Sequence, residues 1–216
     1  DGLQAYDVEP HVLAPEEGPV TNELSKRDIP FYTIPFKQWM SKNRWKAPAR
    51  LGMNLGVLPL LVWKVRQWNV DLIHTNSSVT PIGALLAEVL SLPHIWHVRE
   101  FGKRDFSLFY DWGRPVFRKL TSRADATIAV SEAVRRHVLS DVEVPCHVVY
   151  NGVISEERLE QLGKEAEARD THSSPLYTFA IVGQISPAKG QKQALRAVHR
   201  LAQKGKKVRL LVAGSG

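Results

Sequence analysis

The stretch that decides the fold lies at residues 177–190, which read YTFAIVGQISPAKG, and residues 208–216 follow as VRLLVAGSG. The apolar first half of the earlier stretch predicts a strand, and Gly183 marks the turn after it. Lys189 and Gly190 stand where a helix begins, and the later stretch predicts a second strand that ends in a Gly-rich turn. A strand, polar turn, helix and strand in this order predict the opening of a phosphate-binding α/β domain.

Alternating apolar and helical stretches extend through the rest of the chain. We predict strands at residues 11–14, 29–34, 70–75, 94–98, 126–130, 147–150, 178–182 and 208–213. We predict helices at residues 47–67, 81–90, 114–122, 132–139 and 191–204. Several strand segments are apolar on consecutive positions, which is typical of strands covered on both faces. The alternation therefore predicts an α/β fold with parallel sheets and right-handed crossovers.

A change of composition predicts two domains. Residues 154–175 are polar and lack a sustained apolar face, which predicts a short surface helix and a linker. Residues 1–153 then form an N-terminal Rossmann-like domain, and residues 176–216 begin a second one. Residues 1–5 resemble the end of a helix, so we expect a strand and most of a helix upstream of them.

The overall composition is that of a globular protein, with 44% apolar and 24% charged residues among 216. The single cysteine, Cys146, excludes an internal disulfide framework, and the N-terminus does not resemble a cleaved signal, so we expect a reducing cytoplasm. The most apolar stretch, Leu51–Trp63, is interrupted by Asn54 and Pro59 and is too short to span a bilayer. We expect it to form a buried helix.

The formal net charge of +7 indicates either an anionic partner or a basic surface that keeps the protein in solution. Seven basic residues lie close together between Arg99 and Arg123, among only three acidic ones. This run is either a solvated face or a contact with a phosphorylated sugar or an acidic membrane surface. The chain has no zinc-finger spacing, RNP motif or long Lys/Arg tract, so we expect no nucleic-acid partner.

Polar residues follow most of the predicted strands. In an open parallel sheet, ligands bind beyond the carboxyl ends of the strands, so these residues line a candidate cleft. The set consists of His74, Thr75, Asn76, Ser77, Ser78, His97, Arg99, Glu100, Ser131, Asn151, Gly152, Gly183 and Gln184. Ser131 is first of all the expected cap of the helix that begins at Glu132.

Five short motifs occur in a fixed order along the chain. They are DLIHTN at 71–76, IWHVRE at 95–100, ADATIAVS at 124–131, VYNGV at 149–153 and VGQISPAKG at 182–190. In this order and spacing they resemble the motifs of the retaining glycosyltransferases of family 4, which have the GT-B fold. The resemblance covers most of the chain.

The resemblance implies that the first domain binds the acceptor and the second binds a nucleotide-sugar, with reaction in the cleft between them. His97 would be the catalytic residue, contacting the transferred sugar and orienting its anomeric carbon. Gly183, Gln184, Lys189 and Gly190 would bind the donor diphosphate, where fixed charge and backbone N–H groups stabilise the departing phosphate. The remaining rim residues would contact the acceptor.

The implied reaction moves a sugar from a nucleotide-sugar to a glycan or lipid-linked acceptor with retention, in polysaccharide biosynthesis. A front-face displacement, in which the donor phosphate assists deprotonation of the acceptor, would explain the missing carboxylate base. The resemblance implies no cofactor and no metal ion. From the basic run at 99–123 we expect that this cytoplasmic enzyme can contact the inner face of the membrane.

Two features depart from the family pattern. Gln184 stands where the family commonly has arginine, so diphosphate binding would depend more on Lys189. The family's Glu-x7-Glu segment and its first Gly-rich loop have no counterpart in this sequence. We therefore expect this chain to be an incomplete piece that is inactive by itself.

Two other functions stay open. A nucleotide-sugar epimerase of the same architecture would need carboxylates as acid and base at the rim of the first domain, where Glu100 is the obvious candidate. A non-catalytic module that binds sugar or phosphate is the other alternative.

Overall fold

The computed structural model describes residues 2–168 and 176–215, so residues 169–175 of the expected linker, and Gly216, lie outside the described residues. The chain divides into two compact units, Asp1–Asn151 and Gly152–Gly216. Each unit contains parallel strands and helices, which confirms the α/β class. Among the described residues, no helix combines the length and the apolar character needed to cross a bilayer.

The first unit alternates strands and helices as predicted. Its strands are β1 (Val12–Ala14), β2 (Phe31–Thr33), β3 (Met40–Ser41), β4 (Ile73–Asn76), β5 (His94–Val98), β6 (Phe109–Tyr110), β7 (Ala126–Ala129) and β8 (Cys146–Val148). Its α-helices are α1 (Pro19–Lys26), α2 (Ala47–Trp68), α3 (Ile82–Leu90), α4 (Lys103–Phe106), α5 (Gly113–Thr121) and α6 (Glu132–Val138). Two 3-10 helices are Gln4–Tyr6 and Arg44–Lys46.

A four-stranded parallel sheet in the order β4-β5-β7-β8 is the centre of the first unit. Strands β1 and β2 form a separate parallel pair, and the short strands β3 and β6 pair antiparallel. In the central sheet Asn76 is the register partner of His97, and His97 is the partner of Ile128. Because the four strands run parallel to one another, their carboxyl ends lie at the same edge of the sheet.

The larger core cluster packs against one face of β5. Along this strand His94, Trp96 and Val98 are buried, and the two residues between them are half-buried, which is the alternation of a pleated strand. Trp96 and Phe117 of α5 are 0% exposed, and their ring centroids are 5.9 Å apart. Burying one such aromatic side chain contributes on the order of 2–3 kcal/mol, so these rings anchor α5 to the sheet.

A smaller core cluster forms where α2 and α3 approach each other, around the buried side chains of Leu61 and Leu86. The expectation that residues 51–63 form a buried helix is wrong in part. The segment is helical within α2, but Leu60 and Trp63 are 51% and 53% exposed. Only a narrow stripe of α2 is covered, because apolar composition does not indicate which sides of a helix meet a neighbour.

The second unit, as far as the structure describes it, contains α7 (Glu156–Glu167), β9 (Tyr177–Val182), a 3-10 helix (Pro187–Lys189), α8 (Gln191–Gln203) and β10 (Val208–Ala213). β9 and β10 pair in parallel over six residues each. α7 has no buried residue, and the Ser155 hydroxyl caps its first turn, as expected of a surface helix.

The sequence missed four short elements: α1, α4, β3 and β6. Each has at most eight residues, so none contains enough turns or alternations to give a clear period. The two short strands pair with each other from opposite sides of α2 in the sequence. Nothing in the local pattern indicates such a pairing.

Candidate active site

The candidate site is the carboxyl edge of the central sheet in the first unit. His74 and Asn76 leave β4 on the same side, because side chains alternate along a strand. Parallel register places Asn76 beside His97, and His97 lies diagonally across from His74. The two imidazole rings stack with centroids 5.6 Å apart and an interplanar angle of 21°.

His97 has a buried ring nitrogen with no protein partner. Within residues 2–168 and 176–215, its Nε2 is shielded from solvent and no group hydrogen-bonds to it. A buried polar atom without a partner costs free energy in a folded protein, so Nε2 is available to a hydrogen-bonding group of a ligand or to a water molecule. A sugar hydroxyl is one group that supplies the missing hydrogen bond.

The imidazole of His97 is neutral at physiological pH. Partial burial lowers its pKa below the usual 6.5, and the neighbouring His74 and Arg99 lower it further against the opposing effect of Glu100. Burial likewise lowers the pKa of His74. A neutral ring can donate a hydrogen bond from one nitrogen and accept one at the other. The pair therefore suits contacts with hydroxyl groups better than charge pairing with a phosphate.

Arg99 links the ends of two strands to the exit from the first unit. Its guanidinium donates to Asn76 Oδ1 at 3.4 Å and to Asn151 Oδ1 at 3.3 Å. All three side chains are exposed, so both amides and the guanidinium can also bind a ligand. The structure thus brings His74, Asn76, Arg99 and Asn151 close to His97.

Glu100 holds the turn beside His97. Its Oε1 accepts hydrogen bonds from Ser77 Oγ at 2.7 Å, from Ser78 N at 2.7 Å and from Ser78 Oγ at 2.8 Å. Ser77 has φ 120°, a region that L-residues rarely occupy, and its N–H donates to His97 O at 2.8 Å. Glu100 and Ser77, predicted as cleft contacts, therefore fix the backbone around His97 in this structure.

Thr75 is not at the rim surface. It is 4% exposed, on the opposite face of β4 from His74, and its Oγ1 lies 2.7 Å from His94 Nε2. Burial lowers the pKa of His94 to about 4, with Asp125 opposing the effect. Because side chains alternate along the strand, Thr75 points into the interior, and we remove it from the candidate site.

Ser131 acts as a helix cap. Its Oγ accepts a hydrogen bond from Val134 N at 3.2 Å at the start of α6, which confirms the capping prediction. The cap occupies the hydroxyl, so the structure gives no separate sign of the acceptor contact predicted for this residue.

The second unit carries the residues predicted to bind a diphosphate. Gly183 and Gly214 follow β9 and β10, and a Cβ on Gly214 would lie 1.9 Å from Gly183 O, so the two turns meet too closely for a side chain there. Gly190, with φ 79°, forms the N-cap of α8, and Lys189 precedes it. Gln191 Nε2 donates to Gln184 O at 2.9 Å and holds the turn against the helix.

Two roles in the site environment were missed from the sequence. Ser78, predicted among the rim residues, donates two hydrogen bonds to Glu100, and His94 contacts Thr75 behind the rim. The pair Ser78 and Glu100 is separated by 22 residues, so no local pattern joins them. Within the described ranges, no three His, Cys, Asp or Glu residues lie close enough together to hold a metal ion.

The sequence profile of the family described as Glycosyltransferase Family 4 matches residues 1–157. The crystal structure of MurG from Acinetobacter baumannii aligns with 97% of this chain and 61% of that chain, with 14% sequence identity and a TM-score of 0.48. That of Glycyrrhiza uralensis UGT73P12, complexed with glycyrrhetinic acid 3-O-monoglucuronide, aligns with 97% and 64%, with 10% identity and a TM-score of 0.42. The chain thus spans less than two thirds of either structure, and no curated protein sequence matches it significantly.

Proposed function

Because the chain belongs to Glycosyltransferase Family 4, we propose that it takes part in the transfer of a sugar from a nucleotide-sugar to a glycan or lipid-linked acceptor. The observation that carries the proposal is the buried, unpartnered Nε2 of the neutral His97 at the carboxyl edge of the central sheet. Ligands of open parallel sheets bind at this edge.

His97 contacts a hydroxyl of the sugar that is transferred and so orients the anomeric carbon. The stacked ring of His74 keeps the imidazole from rotating, and the Ser77 turn holds its backbone. Positioning of this kind accelerates a reaction because the reacting atoms are already aligned when the leaving group departs. Asn76, Arg99 and Asn151 bind the acceptor from the same edge.

The donor diphosphate binds at the first turn of α8 in the second unit. Four features there suit an anion: the helix N-terminus, Lys189, and the two glycine turns after β9 and β10. When the glycosidic bond of the donor breaks, negative charge develops on the β-phosphate. The Lys189 ammonium and the backbone N–H groups stabilise that charge.

We further propose retention of the anomeric configuration, by a front-face displacement in which the departing phosphate accepts the proton of the acceptor hydroxyl. This route needs no carboxylate base. It agrees with a site in which three hydrogen bonds from Ser77 and Ser78 to Oε1 hold the Glu100 carboxylate in a structural role. The epimerase alternative would instead use Glu100 as an acid or base at this rim.

The step is proposed to need neither a metal ion nor a cofactor. The single Cys146 agrees with a cytoplasmic enzyme, and a peripheral contact with an acidic membrane would bring the site to a lipid-linked acceptor. Addition of EDTA to a transfer assay is expected to leave the initial rate unchanged. A loss of rate that Mg²⁺ or Mn²⁺ restores would contradict metal independence.

A direct test incubates the full-length gene product with a panel of nucleotide-sugars and glycan acceptors, with NMR assignment of the anomeric configuration of the product. We expect transfer with retention from at least one donor. Inverted product would contradict the mechanism. Glycan binding without transfer or donor hydrolysis would favour the non-catalytic binding module.

A further inference from the structure

Helix α2 has an outward side that is apolar over four turns. Every exposed position between Ala47 and Trp63 carries an apolar side chain, a glycine or a proline. Its large members are Leu51, Met53, Leu55, Leu60 and Trp63, which are 37–53% exposed. We call these five residues, together with the exposed Trp45 just before the helix, the α2 face. Contiguous exposed apolar surfaces of this kind mark interaction sites.

The α2 face lies in the most basic part of the chain. Residues 29–70 contain seven Lys and Arg residues and no Asp or Glu. This number equals the formal net charge of the whole chain, so the remaining residues carry equal numbers of acidic and basic side chains. The excess positive charge of the protein is therefore concentrated in the segment that carries the α2 face.

Basic side chains lie at both ends of the α2 face. Lys42, Arg44 and Lys46 are exposed at its N-terminal end, and the Lys46 ammonium lies 5.5 Å from the centroid of the Trp45 ring. At the C-terminal end, Arg66 is exposed and Lys64 lies over the rings of Tyr32 and Trp68. Lys and Arg side chains at the ends of an apolar surface can reach lipid phosphates, and exposed tryptophans favour the level of the lipid headgroups.

The α2 face is held in place by the fold. Asn54, 2% exposed on the inner side of α2, accepts a hydrogen bond from Lys37 N at 2.6 Å and donates one to Lys37 O at 2.9 Å. Arg50 is bound to the buried carboxylate of Asp111. These contacts fix the rotation of the helix about its axis. The apolar side therefore faces outward already, and no local unfolding is needed to expose it.

We propose that the α2 face binds an anionic lipid surface, with Leu55, Leu60 and Trp63 inserted among the acyl chains and the flanking Lys and Arg residues on the lipid phosphates. Charge complementarity favours lipid as the occupant, because the segment has seven cations and no anion, and within the described residues Arg50 alone among them is paired with a carboxylate. The inference rests on the membrane contact of the proposed function and gives it a location.

This location differs from the basic run between Arg99 and Arg123. Three members of that run already have partners: Arg99 binds Asn76 and Asn151, Arg114 is bound to Asp141, and Arg123 pairs with Glu88 at 3.0 Å. Arg118 and Lys119 of α5 are exposed and provide a comparison. They have the charge for membrane contact, but they do not flank the α2 face in the sequence.

The test is co-sedimentation of the full-length gene product with vesicles of phosphatidylcholine alone or mixed with phosphatidylglycerol. We expect binding only to the anionic vesicles. The double variant Leu55→Gln/Trp63→Gln should weaken this binding by at least about tenfold, because each side chain loses apolar insertion. Lys42→Gln/Lys46→Gln should weaken binding and reduce its dependence on salt. Leu159→Gln, at a 60% exposed leucine of α7, and Arg118→Gln/Lys119→Gln are controls that should bind as the wild type does.

Absence of binding to anionic vesicles, or loss of binding only in the α5 control, would overturn the inference. Leu60→Cys in a Cys146→Ser background tests whether the face is free. It should react with a maleimide in solution and be protected by anionic vesicles. A thiol at position 60 that fails to react in the absence of vesicles would show that another segment or a second copy covers the α2 face, and this would overturn the inference. Transfer to a water-soluble acceptor separates the two proposals, because it needs His97 but not the membrane.

Discussion

At the residue scale, a small number of groups define the surroundings of His97. Its free Nε2, the stacked His74 ring and the Ser77 turn fix a neutral imidazole at the carboxyl edge of the sheet. Its position at the end of a predicted strand, together with the order of the five motifs, made His97 the predicted catalytic residue. The role of Glu100 was not predictable, because its three hydrogen bonds come from residues 22 and 23 positions earlier.

Replacement of Glu100 tests the role of this carboxylate in holding the Ser77 turn. Glu100→Gln keeps the shape of the side chain but replaces charge-assisted hydrogen bonds by neutral ones. The free energy of unfolding should therefore fall by about 1–2 kcal/mol. The rate of transfer should fall as well, because the turn supports His97. Chemical denaturation and the transfer assay give the two readouts.

Glu88→Gln is the matched control, because Glu88 forms a surface pair with Arg123 in which both side chains are about half exposed. It should change stability by less than about 1 kcal/mol. Equal effects of the two substitutions on stability and rate would contradict a special role for Glu100.

The pH dependence of stability tests the environment of His94. Its pKa is lowered to about 4 in the folded protein, so between pH 6.5 and 4 the unfolded chain binds more protons. Stability contributed by neutral His94 is present above pH 6.5 and is lost as the pH falls towards 4. We expect a loss of about 1–2 kcal/mol from pH 7 to pH 5 by urea denaturation.

His94→Gln should remove that part of the pH dependence, whereas replacement of the exposed His147 should leave it intact. An unchanged loss between pH 7 and pH 5 in His94→Gln would show that other groups cause it.

At the element scale, the sequence of α2 predicted the bounds of the helix but not which of its sides is buried. The predicted helix at 47–67 corresponds to Ala47–Trp68, because its ends carry ordinary helix signals. The burial of residues 51–63 was predicted wrongly in part, since this segment contains a single polar side chain and so has no polar side that would mark the solvent. The antiparallel pairing of β3 with β6 could not be predicted from the sequence either, because the two strands are short and lie on either side of α2 along the chain.

The ion pair between Arg50 and Asp111 ties α2 to this small pair of strands. The Asp111 side chain is 1% exposed, and it also accepts a hydrogen bond from Ser41 Oγ at 3.0 Å. Asp111→Asn should destabilise the protein by about 3 kcal/mol, because it leaves a charge without its buried partner. Denaturation by urea, monitored by tryptophan fluorescence, measures the change.

Asp141→Asn is the control for this substitution. Asp141 pairs with Arg114, and its side chain is 40% exposed. Asp141→Asn should therefore lower the free energy of unfolding by less than about 1 kcal/mol. A cost for Asp111→Asn no larger than that of the control would show that α2 is held by packing alone.

At the scale of the whole molecule, the order of the longer strands and helices was predictable because each crossover needs its own apolar strand and amphipathic helix. The order of the five motifs along the chain also made the family predictable, because five motifs in a fixed order are more specific than any one of them alone. The identity of the donor sugar, the nucleotide and the acceptor was not predictable. Donor and acceptor specificity depends on side chains in loops, and loop sequences have no repeating hydrophobic pattern from which structure can be predicted.

Division of the chain into two units predicts that donor and acceptor binding respond to different substitutions. Lys189→Gln should raise the KM for the nucleotide-sugar by about tenfold, since one charged contact to the diphosphate is lost, and should leave the KM for the acceptor unchanged. Lys206→Gln, at another exposed lysine of the second unit, is the control. A rise in the acceptor KM alone would contradict the assignment of Lys189 to the donor.

The most direct test of the central claim compares His97→Ala with the wild type in the full-length gene product, by steady-state transfer from the preferred nucleotide-sugar. Loss of the sugar contact should lower kcat/KM by about a hundredfold or more, with the fold intact by circular dichroism. A value within about threefold of the wild type, which corresponds to about 0.7 kcal/mol, would contradict the placement of His97 at the reacting sugar.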